Sequence, residues 1–174
     1  MKSDSKYKIE FAGLKIGSHQ YNFKADKKFF DRFNFSDFND VSVKIDIDLT
    51  KKSTLLELVF VLEGIVNVNC DLTNEPFDFQ IKHEASLVVK FGQEHNDEDD
   101  EILVLPHGEH KLYVDQYIFE MIVLSLPLKR IHPGIEDGSL KSEILDILEG
   151  LKPRENSNLA DPRWDQLKKF KKTK

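Results

Sequence analysis

Val41-Ser-Val-Lys-Ile-Asp-Ile-Asp-Leu49 alternates without a fault, apolar at every odd position and polar at every even one. That period of two marks a strand with one face buried and the other in water. Lys51-Lys52-Ser53 follows as a turn, and residues 55–62 are apolar on both faces, as a central strand would be. Gly64 then marks a bend or bulge before a further strand over 65–70. The polar turn Asp71-Leu72-Thr73-Asn74-Glu75-Pro76 leads into a long strand over 77–91, so the middle of the chain reads as an antiparallel meander.

The flanks complete the pattern. Residues 7–11 and 18–23 read as short strands beside Gly13 and Gly17. Phe29, Phe30 and Phe33 have helical spacing, with Asp26 or a neighbour as cap. Residues 96–101 form an acidic loop, too charged to order unless something cationic meets it. A short strand over 102–105 precedes the main helix over 114–126, with Asp115 in its first turn and Ile118, Met121, Ile122 and Leu126 on one stripe. Pro127 ends it. A loop through Pro133 and Gly134 gives way, near Ser139, to an amphipathic helix carrying Ile144, Leu145, Ile147 and Leu148 and ending near Gly150. Asp161 caps a last helix with Pro162 at its first position.

Strands first and helices last predict an α+β fold. The expected architecture is a curved antiparallel sheet, open or partly closed into a barrel, with C-terminal helices on one face or end. One domain over 1–150, a polar linker over 151–160 and a basic terminal segment over 161–174 make up the expected organisation.

The single cysteine, Cys70, rules out an intramolecular disulfide and any multi-cysteine zinc site within one chain. No apolar signal region opens the sequence, and the longest apolar run, near 118–128, is interrupted by Glu120 and stopped by Pro127. A cytoplasmic protein without a membrane span is expected. Net charge is −6, but the terminal segment from Asp161 onward is formally +4, which leaves −10 on the rest. An acidic body with a basic end suits contact with a polyanion through a limited surface. The same lysines would also suit the C-terminal dipole of a solvated helix.

Three constellations invite chemistry. His107-Gly108-Glu109-His110 offers two imidazoles and a carboxylate, the donors of a metal-dependent hydrolase or nuclease. Pro106 and Gly108 argue instead for a polar turn there. Cys70 has no glycine-rich elbow beside it, so a small half-buried hydrophobe is the plainer reading. Arg163, Trp164, Lys168, Lys169, Lys171 and Lys172 combine phosphate-neutralising cations with an aromatic plane that stacks on exposed bases. Trp164, Leu167 and Phe170 could equally dock a helix onto the body, leaving the lysine face free. There is no GxGxxG, P-loop or HExxH, so no catalytic residue and no cofactor is expected.

Three segments together resemble the YceD family, the large ribosomal RNA subunit accumulation proteins of bacteria and plastids. Asn69-Cys70-Asp71-Leu72-Thr73-Asn74-Glu75-Pro76-Phe77 is similar to the family's strand-end cysteine and the turn closing in Pro-Phe. Glu120-Met-Ile-Val-Leu-Ser-Leu-Pro127 with the following Leu-Lys129-Arg130-Ile-His132-Pro133 is similar to its glutamate-bearing helix and basic or polar loop. Asp161-Pro162-Arg163-Trp164-Asp165-Gln166-Leu167-Lys168-Lys169 is similar to its terminal segment. The likeness runs through most of the chain beyond about Val41.

One departure is chemical. Family members often carry a second cysteine where Thr73 stands and another near Gly134, which together could build a metal site. This chain keeps only Cys70. The resemblance implies a role in production, processing or stability of 23S rRNA, and no catalytic activity. Its implied partners are precursor 23S rRNA, a large-subunit ribosomal protein, or both. The tail cations with Lys129 and Arg130 would meet RNA, and the acidic body could hold a basic ribosomal protein. A protein-only adaptor remains the other non-enzymatic reading.

Overall fold

A computed structural model describes residues 6–99 and 101–151. In order these form β1 (Lys8–Glu10), β2 (Gly17–Asp26), α1 (Lys27–Asp31), β3 (Asp40–Lys51), β4 (Leu55–Asn69) and β5 (Pro76–Gly92). Then come β6 (Asn96–Asp99), β7 (Ile102–Pro106), β8 (Lys111–Tyr113), α2 (Asp115–Leu124), α3 (Pro133–Glu136) and α4 (Glu143–Leu151). The fold is α+β, with one large curved sheet in the order β2-β3-β4-β5-β7-β6 and a separate β1-β8 ladder.

The alternation in β3 fixes which face is inside. Val41, Val43, Ile45, Ile47 and Leu49 are all buried, and their cross-strand partners Val66, Leu62, Phe60 and Leu58 continue the same layer on β4. Each fully buried aliphatic side chain of this kind contributes about 1.5–3 kcal/mol. Among the described residues, Phe11, Phe29, Phe30, Phe38, Phe60 and Phe77 are buried in the core. Phe30, Phe33, Phe35, Phe38 and Phe119 form one aromatic cluster, with Phe33 and Phe119 stacked at 4.3 Å. Asp26 caps α1 as expected, its Oδ1 accepting from Phe29 N at 3.0 Å. Asp115, buried in the first turn of α2, is 3.4 Å from Arg32, whose guanidinium lies over the Phe29 and Tyr7 rings.

Three expectations need correction. The sheet is mixed rather than wholly antiparallel, because β5 and β7 run parallel, Val88 opposite Ile102 through Gly92 opposite Pro106. The chain leaves β5, runs as β6 one place further out, and returns as β7 into the gap between them. Of the two expected forms the sheet takes the open one, with β2 and β6 as its edges. The acidic stretch read as a loop supplies β6, paired antiparallel to β7 through Asn96–Val104 and Asp99–Ile102. Finally, Gly64 does not separate two strands. β4 runs unbroken through it, and a Cβ there would run into Ser42 O and lie 2.6 Å from Val43 Cα. The glycine permits close approach of β3.

β8, like β6, is a strand that the sequence did not suggest. It pairs with β1 through Ile9 and Leu112, both buried, and Tyr7 O accepts from Val114 N at 3.0 Å as α2 begins. The described residues fall into two units, one up to Leu140 and one from Lys141. Within the second, α4 carries Ile144, Ile147, Leu148 and Leu151 at the spacing of one helix face.

Candidate functional site at the Cys70 hairpin

β4 and β5 meet where Asn69 pairs with Pro76, and the turn between them is held from within. Cys70 N donates to Glu75 O at 2.9 Å and Asn74 N donates to Cys70 O at 2.8 Å. Asn74 has φ of 59°, a left-handed conformation that asparagine tolerates better than most residues. Cys70 is 2% exposed and Thr73 4%.

The loop after α2 closes over this turn. Asp71 N donates to Arg130 O at 2.8 Å, and Arg130 N donates back to Asp71 Oδ2 at 2.6 Å. The Arg130 guanidinium lies 3.5 Å from Asp71 Oδ1. Two residues on, His132 N donates to Cys70 Sγ at 3.3 Å. The His132 ring meets Phe77 edge to face at 5.3 Å, and its Nδ1 accepts from Gly134 N at 2.9 Å, capping α3.

These contacts decide the state of the thiol. Burial pushes the Cys70 thiol up, but the Thr73 hydroxyl and the backbone N–H groups of His132, Thr73 and Leu72 oppose it. Together they hold the thiol below its ordinary value. The sulfur is therefore a satisfied acceptor within a polar nest.

Cys70, Thr73 and the segment through Gly134 are the positions where the resemblance places three cysteines, and the fold brings them together. The residues present do not make a metal site. The thiol is committed to its donors, and a Cβ at Gly134 would lie 2.9 Å from His132 Nδ1 and from Ser139 Oγ. One further acidic oxygen, Glu75 Oε2, is buried without a hydrogen-bond partner among the described residues. One thiol and one carboxylate fall short of the four ligands a structural zinc takes.

The other sequence-predicted residues are dispersed. His107, Glu109 and His110 lie between β7 and β8, where Glu109 N donates to Pro106 O in a turn. Among the described residues, no three His, Cys, Asp or Glu side chains gather as metal ligands. Lys129 is exposed, whereas Arg130 is engaged with Asp71. Glu120 is exposed on α2 and accepts from Gln116 Nε2 at 2.9 Å, and Pro127 follows the end of that helix. Phe77 is buried, and Pro76 opens β5. Asp161, Pro162, Arg163, Trp164, Lys168, Lys169, Lys171 and Lys172 lie outside the described residues.

Sequence reasoning missed Thr73 and His132 as partners of the cysteine, and Asp71 as the partner of Arg130. Asp and Thr in a turn signal local hydrogen bonding. Nothing local points Asp71 toward a backbone 59 residues away.

A family model described as "Large ribosomal RNA subunit accumulation protein YceD" matches residues 58–171. The chain belongs to the YceD family. The match takes in all three segments of the resemblance, and thus the Cys70 hairpin and the loop that closes it. It begins at Leu58 within β4, so β1, β2, α1 and β3 precede the YceD match. No curated protein and no solved structure matches the chain. No helix among the described residues is long and apolar enough to cross a membrane.

Proposed function

We propose that this protein is a non-catalytic factor of large-subunit biogenesis that supports synthesis, processing or stability of 23S rRNA. It acts by binding precursor rRNA, a large-subunit ribosomal protein, or both. The observation that carries this reading is the YceD match over residues 58–171. The charge pattern supports it, since a +4 terminal segment on an otherwise acidic chain favours contact with a polyanion there. In this reading Lys168, Lys169, Lys171, Lys172 and the exposed Lys129 neutralise phosphates. Arg163 and Trp164 stack on unpaired bases.

Co-sedimentation with precursor large subunits over a range of salt tests the reading. The protein should travel with the particles and leave them as salt rises. Replacing Lys168, Lys169, Lys171 and Lys172 by alanine should weaken association and flatten its salt dependence by up to about three logarithmic units per decade. An unchanged large-subunit rRNA profile on deletion, together with no association, would sink it.

A further inference from the structure

The inward face of the sheet is not covered along its whole length. On β5, Ile81, Leu87 and Val89 of the inward row are buried, but His83 and Ala85 between them are only half covered. A groove of about 1030 Å³ opens there, bounded by β5, the β6–β7 hairpin, β8 and α2. Its floor is apolar, with Ala85, Leu103, Leu105 and Met121, and Leu124 stands at its edge 78% exposed.

The rim is acidic. Seven carboxylates line the groove against one lysine, Lys111. Asp97, Asp99 and Glu101 come from β6 and the turn after it, Glu109 from the turn before β8, and Glu120 from α2. None of these five forms an ion pair among the described residues. Their field reaches the groove wall. Burial, then Asp97 and Glu120, push the Tyr117 phenol up to about 12.

We infer that this groove is a docking site for an extended, lysine- and arginine-rich segment of a partner protein. The aliphatic stems of such residues lie on an apolar floor while their charged heads reach acidic groups at the rim. The carboxylates are spread around the groove rather than gathered as metal ligands. They would repel the phosphates of a nucleic acid. The inference deepens the function proposed above by naming a partner's chemistry, and it rests on that reading only for where the segment would come from.

Fluorescence anisotropy with a labelled lysine/arginine-rich peptide and the full chain tests the groove alone. Failure to bind leaves an rRNA role standing, and loss of the rRNA role leaves peptide binding measurable. Saturable binding should weaken about tenfold or more in the triple variant Asp97→Asn, Asp99→Asn, Glu101→Gln, and also in Leu124→Lys. Leu124 is exposed, so that change leaves the core intact. The triple variant Asp31→Asn, Asp37→Asn, Asp48→Asn removes the same charge from exposed positions outside the groove and should change affinity less than about twofold. Equal weakening in both triple variants, or no saturable binding, overturns the proposal. So does a single-stranded RNA oligonucleotide whose binding the groove variants abolish.

Discussion

Asp71 and Arg130, 59 residues apart in the chain, grip each other through two backbone N–H groups and a side-chain ion pair. Asp71 donates its N–H and accepts Arg130's, so neither end can shift without breaking the other. This reciprocity fastens the loop after α2 to the β4–β5 turn and sets His132 N against the cysteine sulfur.

Asp71→Ala removes the acceptor of the Arg130 N–H and the ion pair together. The bond is exposed, so water replaces part of it, and the loss should be about 0.5–1.5 kcal/mol. Asp71→Asn keeps an acceptor oxygen and should lose less. Urea denaturation of both variants ranks them, and equal stability of Asp71→Ala and the parent would refute the clamp.

Thr73→Val deletes the hydroxyl that opposes burial at Cys70, so the thiol should titrate higher than in the parent. The sign for stability follows. A thiol held low when folded adds stability that is complete above its unfolded value of about 8.5, and loses it as pH falls through the folded value. Thr73→Val should shrink that alkaline gain. Ultraviolet thiolate absorbance against pH reads the shift, and an unmoved titration would show that Thr73 does not act on the sulfur.

Gly64→Ala should be among the most damaging small substitutions in the sheet. The added methyl would press on the backbone of Ser42 and Val43, which cannot swing aside as a side chain could. A loss of about 3 kcal/mol or more is expected. At Gly13 a Cβ would meet nothing within 4 Å, and alanine there should change stability by less than about 1 kcal/mol. Thermal melts of the pair separate a packing effect from a general intolerance of alanine.

Tyr117 should be among the last tyrosines to ionise. Burial first, and then Asp97 and Glu120, raise it to about 12, so its proton is held more tightly in the folded protein than in the unfolded chain. Its contribution is complete below the unfolded value of about 10 and disappears as pH climbs through about 12. Tyr117→Phe should therefore lose less stability across that window. Identical alkaline melting curves for parent and variant would contradict this.

How much could be read in advance differs by element. The inward face of β3 was legible at once, because an alternation of period two leaves a single way to bury Val41 through Leu49. The Asp26 cap and the stop at Pro127 were legible for the same local reason. Gly64 was seen but misread, since a glycine that breaks a strand and one that admits a neighbour look alike until the neighbour is placed. The direction of β7 was hidden, because alternation names a face and not a pairing partner.

For the hairpin, the chain by itself determined that Cys70 stands alone and that a turn follows it. A lone thiol and turn-forming residues are facts of composition and short range. Only the tertiary structure decided what the cysteine does, by bringing His132 and Thr73 to its sulfur and Arg130 to Asp71. The same holds for the groove. The run of acids was plain in the sequence, but its pairing into β6 and its convergence with Glu120 beside an uncovered stretch of β5 depend on contacts far apart in the chain. Local rules fix φ, ψ and face. Long-range pairing fixes which groups share a space, and shared space is where hydrogen bonds, charge and burial act together.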